Sequence, residues 1–220
     1  MMMLRRNILA VAAVLLIPAV MSAQNRSLSP EDVLVFMQEA LHGLGTADFS
    51  FDFHAEDQAG DILGDESGHF VAQDESFRLS TDAMTMFCDG RTKWIYDMVN
   101  DEITIFPHDV TSVDPAENPF AVLSKADPAS YTFKGRVRTG DDSYTVVMVP
   151  KSGNVSFTQL EIAVSADTFL PVSLKYMNSN GDMYVLSIRG VSSTETLPKD
   201  YFKPSEELLD NPDIYITDMR

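Results

Sequence analysis

The sequence predicts a mainly β, α+β chain: one antiparallel sheet of about ten or eleven strands, curled rather than flat, with a helix at its start. Three observations carry this. From Thr46 onward, apolar residues recur with a period of two in runs rich in Phe, Tyr, Val, Ile and Thr. Turn-forming clusters punctuate these runs at short intervals. No crossover-length helix separates most of them, so parallel pairing is not expected, and so many strands make a flat open sheet curl.

The elements follow in order. Arg5 and Arg6 precede an almost wholly apolar stretch, Ile8 to Val20, and Ser22 and Ala23 offer small residues for cleavage. This is the pattern of a secretory signal peptide over residues 1–23, too short for a comfortable transmembrane span. Residues 24–220 then form a single domain, exported and soluble. Ser29-Pro30-Glu31-Asp32 opens a helix with an N-cap serine, a proline at the first position and acids in the first turn. Val33, Phe36, Met37, Ala40, Leu41 and Leu44 follow helical spacing, and Gly43 and Gly45 end it. Turns are expected at 58–61, 73–76, 89–90 and 99–101, then at 139–142, 151–154, 166–169 and 178–182.

Between the two series lies an interruption, Pro107 to Ser130. It is rich in proline and acids and holds one apolar cluster, Phe120-Ala121-Val122-Leu123. One or two short helices capped by Asn118 and Ser124 fit there, and a loop of this length inside a domain suits a lid or binding element. The tail is expected to add a last strand at Ile214 to Thr217.

Composition narrows the function classes. The formal charge is −17 over 220 residues, and loss of Arg5 and Arg6 with the signal peptide makes it −19. Such a chain repels phosphates, which argues against nucleic-acid partners and against anionic lipid surfaces. Cys88 is the only cysteine, so no intrachain disulfide forms, and a buried, unreactive thiol is expected. His42, His54, His69 and His108 make no ligand pair. With the first hairpin turning near Gly60, His54 falls opposite about residue 65 and His69 opposite about residue 50, too far apart along the ladder for a metal site. Neither a nucleophile elbow nor a phosphate or dinucleotide loop is present. Asp82, Asp89 and Asp97 read as turn and strand-end residues. The triplets beginning at Asn25 and Asn154 match the glycosylation pattern. No cofactor, metal or catalytic residue is expected.

What rises above background is apolar surface. Phe51, Phe53, Phe70, Phe77, Met84, Met86, Trp94, Tyr96, Phe106, Met148, Tyr176, Met183 and Tyr184 lie on expected strands. Many share those strands with apolar residues of the opposite parity. Trp94, Tyr96 and Phe106, for example, alternate with Ile95, Ile103 and Ile105 in a hairpin greasy on both faces. Eight methionines remain after signal removal, and methionine fills adaptable binding surfaces. Two readings stay open at this point: a sheet buried on both sides, by the N-terminal helix on one and the lid segment on the other, or a ligand cavity.

The hairpin stretch "DGRTKWIY" resembles the D-G-x-x-x-W-x-Y hairpin of the LolA family of periplasmic outer-membrane lipoprotein carriers. The order of the other pieces agrees: a signal peptide without a lipobox, a helix leading into "TADFSFDFHAED", "GHFVAQDESFRLS", "NPFAVL" at 118–123, and "LPKDYFKPSEEL" near the close. The resemblance implies an unclosed antiparallel β-barrel of about eleven strands, with an N-terminal helix and short lid helices on its concave side. It implies a periplasmic lipid-binding chaperone, a monomer and not an enzyme, which shields acyl chains of lipoproteins or other lipids. Loading by an inner-membrane ABC transporter and delivery to an outer-membrane acceptor are implied with it.

On that resemblance, lipid binding is expected at Phe51, Phe53, Phe70, Phe77, Met86, Trp94, Tyr96, Phe106, Met148 and Tyr176 of the sheet, and at Phe120 and Leu123 of the lid. The sequence departs from the family at one place. Well-described LolA proteins carry an arginine just before a Pro-x-x-Phe stretch that helps hold the lid closed. Here Gln73-Asp74-Glu75 stands there, and Arg78 is the nearest candidate substitute. Related half-barrels also occur in envelope-stress regulators, so a protein-binding sensor module is the alternative. Those regulators usually carry a second domain or anchor, which is not expected here.

Overall fold

A computed structural model describes residues 28–115, 118–153 and 155–220. The expected signal peptide, the Asn25 triplet and Asn154 lie outside the described residues. Helix α1 (Pro30–Gly43) starts as its sequence dictates. The Ser29 hydroxyl accepts from the Asp32 N–H at 3.1 Å, and the Asp32 carboxylate accepts from the Ser29 N–H at 3.0 Å. This capping box satisfies two orphan donors reciprocally. The helix buries Val33, Leu34, Met37 and Leu41. Phe36, expected on that face, sits at its flank: it is 38% exposed and meets Phe169 edge-on at 5.1 Å.

Two series of hairpins follow. The first comprises β1 (Thr46–Glu56), β2 (Ile62–Gln73), β3 (Ser76–Thr81), β4 (Met84–Cys88), β5 (Thr92–Asp97) and β6 (Glu102–Pro107). After α2 (Pro119–Lys125) come β7 (Tyr131–Phe133), β8 (Arg138–Thr139), β9 (Ser143–Pro150), β10 (Phe157–Ser165), β11 (Pro171–Asn178) and β12 (Met183–Thr194). A short 3-10 turn at Lys199–Phe202, α3 (Glu206–Leu209) and β13 (Tyr215–Asp218) close the chain. All strands join one sheet in the order β13-β6-β5-β4-β3-β2-β1-β12-β11-β10-β9-β7, with β8 beside β9. The end strands β13 and β7 do not meet, so the curved sheet stays open rather than closing into a barrel.

The register of the first hairpin is as expected: His54 faces Asp65 and His69 faces Ser50. The sheet is antiparallel except for β13, which runs parallel to β6. That correction to the all-antiparallel expectation has a simple cause. Residues 195–214 form a connection long enough to return the chain to the far edge in the parallel sense.

Strand parity assigns the faces. The inner face carries Phe49, Phe51, Phe70, Phe77, Leu79, Met86, Leu160, Ile162 and Leu174, packed with α1 and with Val122 and Leu123 of α2 in one core. Across the β1–β2 pair, the outer face carries Asp48, Asp52, His54, Ser67 and His69, with Asp52 bridged to Arg189 at 2.7 Å. Both α1 and α2 therefore lie on the inner face, where Phe120 stacks on Phe49 and Phe70 at 6.3 and 5.5 Å. This is the expected arrangement, with both helices on the concave side, and of the two readings left open by the residues it excludes the one that placed a helix on each face. Burying both helices against one apolar face leaves the polar face of β1–β2 in water, where its charges need no partner to stay hydrated.

Asn118 caps α2 as expected, accepting from the N–H groups of Phe120 and Ala121 at 3.0 and 3.3 Å. Ser124 caps no helix; its hydroxyl donates to the Phe120 carbonyl at 2.8 Å inside α2. The second short turn, Pro128–Ser130, is capped by Asp127 instead.

Candidate functional site

The inner face does not close completely over its core. Beyond the reach of α1 and α2 it holds an open cavity of ≈260 Å³, just below the usual range of about 300–1,000 Å³ for small-molecule sites. Its lining comes from six strands: Phe51 and Phe53 of β1, Glu66 of β2, Phe77, Leu79 and Thr81 of β3, Met84 and Met86 of β4, Leu174 and Tyr176 of β11, and Leu186 of β12. Pro115, from the interruption, forms part of the wall.

Local register explains why these side chains meet. Phe51 faces Gly68 and Phe53 faces Glu66 across the β1–β2 ladder, while Gly68 faces Thr81 and Leu79 faces Met86 on the next two. Gly68 has to be a glycine: a Cβ there would lie 2.8 Å from the Phe51 Cε1 atom and 2.6 Å from the Ser80 carbonyl oxygen. The missing side chain lets the Phe51 ring lie over β2 and form the cavity floor. On the far wall Tyr176 and Tyr184 stack at 4.6 Å. Burial, reinforced by Tyr184 and Asp114, raises the Tyr176 phenol well above the ordinary tyrosine range, so it stays neutral. The surface is apolar, with hydroxyls and one carboxylate at its margin, and offers a hydrocarbon chain continuous apolar contact.

Of the residues expected from sequence, Phe51, Phe53, Phe77, Met86 and Tyr176 line this cavity. Phe70, Leu123 and Met148 are buried in the core beside it, and Phe120 packs half-buried on their cluster. Trp94, Tyr96 and Phe106 are elsewhere. Trp94 pairs with Phe87, whose parity is opposite to that of the cavity residue Met86, so Trp94 and Tyr96 point outward. They pack with Ile103, Ile105, Ile214, Leu208 and Leu209 in a separate outer cluster. Phe106 lies on the inner side near the sheet edge, with the Lys93 ammonium 5.7 Å from its ring centre. The second greasy face of the hairpin thus serves the chain's own C-terminal segment. Met84, singled out only as an apolar strand residue, also lines the cavity. Leu79, Thr81, Leu174, Leu186, Glu66 and Pro115 were not anticipated. Alternation along β3, β11 and β12 would have offered all but the last two.

At the opposite end, a polar cavity of ≈270 Å³ lies between the end of α1, the β2–β3 turn and α2. Here Lys125 of α2 pairs with Glu75 of the turn. Gln73 does not reach α2. Its amide accepts from the Leu197 N–H at 2.8 Å and from the Thr46 hydroxyl at 2.9 Å, and donates to the Leu197 carbonyl at 3.2 Å. Arg78, the candidate substitute for the family arginine, points outward and lies over Phe87 and Tyr201 at 4.9 and 5.2 Å. It cannot contact α2 from there. Cys88 is fully buried, and that burial pushes its thiol up to about 11. Among the described residues, no group of three or more His, Cys, Asp or Glu side chains could hold a metal ion. No described helix is long and apolar enough to cross a membrane.

Comparison with known proteins adds independent findings. The family described as outer membrane lipoprotein carrier protein LolA matches residues 44–205. No curated protein matches the chain significantly. Among solved structures, an uncharacterized conserved protein from Thermus thermophilus has a TM-score of 0.53 at 11% identity, over 85% of this chain and 97% of that one. A putative outer membrane lipoprotein-sorting protein domain from Vibrio parahaemolyticus gives 0.44 at 9% identity, over 79% and 97%. The MucA/MucB complex of Pseudomonas aeruginosa gives 0.37 at 13% identity, over 81% of this chain and 62% of that one.

Proposed function

Because this chain belongs to the LolA family of outer membrane lipoprotein carrier proteins, we propose that it is a periplasmic carrier whose inner-face cavity shields the acyl chains of a lipoprotein or related lipid. The observation that carries this is the apolar cavity itself, left open on a face otherwise packed by two helices. Each methylene kept from water is worth about 0.8 kcal/mol, so an acylated cargo does not leave a membrane unaided at a useful rate. Shielding the chain needs no bond to break, and the chain acts by binding rather than catalysis.

On this reading, residues 1–23 direct export and residues 24–220 form the carrier, a monomer. Phe51, Phe53, Phe77, Met86 and Tyr176 touch the cargo first. Phe70, Phe120, Leu123 and Met148 become available when α2 lifts, a change that needs two lid states close in energy. An inner-membrane ABC transporter would load it and an outer-membrane acceptor would unload it.

The test is lipid analysis of the mature protein purified from a periplasmic extract, beside Met86→Trp, which fills the cavity. Co-purifying lipid in the wild type, and its loss in the variant, is expected. If no lipid is bound and apolar probes do not enter, the reading falls. Capture of one envelope protein without lipid would then favour a protein-binding sensor module on the same half-barrel.

A further inference from the structure

Among the described residues lining the cavity, Glu66 is the only charged one; the rest are apolar, Thr81 or the neutral Tyr176. Its place follows from register. It faces Phe53 across the ladder, on the stretch of β2 before Gly68, where β3 no longer pairs with it. That stretch is exposed, so the carboxylate stands on the water side of the mouth while its neighbours face hydrocarbon. Four short hairpin turns gather at the same end of the sheet, 57–61, 82–83, 98–101 and 179–182, and the β9–β10 connection after Pro150 joins them there. The four short turns hold Asp57, Asp61, Asp82, Asp101 and Asp182 and no lysine or arginine, while Lys151 of the β9–β10 connection is turned to the Ala129 carbonyl, to which it donates at 2.8 Å.

An alkyl chain seated against Phe51 and Phe53 leaves its head group at this mouth. An anionic head would meet Glu66 and the acidic turns with no cation among the lining residues to offset them. A cationic head would find a carboxylate where its chain emerges. We propose that the cavity selects amphiphiles with a cationic, amine-bearing head over anionic ones of equal chain length, and that Glu66 is the specificity-determining residue. The proposal rests on reading the cavity as an acyl-chain site. Because the pair would be solvent-exposed, a modest preference of about five-fold is expected, weakening with salt.

The experiment uses the mature chain carrying a neutral fluorescent apolar probe, displaced below micelle-forming concentrations by tetradecylammonium, tetradecanoate or neutral tetradecylglycerol. Wild type should bind them in the order ammonium, glycerol, carboxylate. Glu66→Gln should collapse the order and Glu66→Lys should reverse it. Glu207→Lys, the same charge change on α3 beneath the outer face, should leave the order intact. Equal or tighter binding of tetradecanoate by wild type overturns the proposal. So does an equal effect of the two lysine variants, which would make net charge the cause. If none of the three amphiphiles displaces the probe, the acyl-chain reading itself fails.

Discussion

Two single residues show how local chemistry holds the site in place. Asp89, in the β4–β5 turn, accepts from the N–H groups of Arg91 and Thr92 at 3.0 and 2.9 Å and pairs with Lys203 at 3.2 Å. Burial by itself would raise its pKa, but the backbone donors and Lys203 together hold the carboxyl below the usual range. A depressed folded pKa gives stability that is present above the unfolded value of about 3.9 and is lost as pH falls through the folded one. Asp89→Asn should therefore lower stability by about 1 kcal/mol at pH 7 in urea unfolding, and the difference should vanish in strong acid. Gly68 acts through shape. Gly68→Ala drives a methyl toward the Phe51 ring and the Ser80 carbonyl, and should destabilise by about 1–3 kcal/mol. Adding Phe51→Leu should restore only part of this, because the Ser80 oxygen belongs to the backbone.

Among the elements, the β5–β6 hairpin is the most instructive. Its outer residues Trp94, Tyr96, Ile103 and Ile105 are covered by Ile214 and by Leu208 and Leu209 of α3, while β13 pairs along β6. This protects an edge strand that would otherwise offer free backbone groups. Trp94 should consequently report on the C-terminal segment and not on the cavity. Ile214→Asp should shift Trp94 emission to the red and lower the unfolding midpoint, whereas filling the cavity with an apolar ligand should leave the emission maximum unchanged. A ligand-dependent shift would contradict the placement of the ring. Helix α2 is held by its apolar face, with Val122 and Leu123 fully buried in the core, rather than by charge. It spans Pro119–Lys125, and its ion pair to Glu75 is half open to solvent. Exposed pairs of this kind contribute roughly 0–1 kcal/mol.

For the whole molecule, an open curved sheet around two helices yields a core that is continuous with a cavity. Binding at that cavity is linked to global stability, since a ligand that binds only the folded form stabilises it by mass action. At a free concentration of about 100 times its Kd, an alkyl amphiphile should add about 2.7 kcal/mol. For a domain of this size that raises Tm by roughly 5 °C or more. Met86→Trp should abolish most of the shift. Calorimetry with and without ligand on both proteins tests this directly.

The fold was almost wholly legible in the sequence, because its determinants are local. Period-two alternation, turn residues at hairpin tips, and the Ser29–Asp32 cap each act within a few residues, and together they dictate an antiparallel meander led by a helix. Five of the twelve lining residues were legible for the same reason: Phe51, Phe53, Phe77, Met86 and Tyr176 are large apolar or aromatic residues at the right parity of their strands. Tertiary structure alone decided which face of each hairpin is inner. Trp94 and Met86 are equally apolar, and only the packing of α1 and α2 on one side and the return of Ile214 on the other separates lining from covering. It also decided that Glu66 stands at the mouth, because a carboxylate's role depends on what surrounds it. Alternation is a property of one strand, but a cavity is space left over between many.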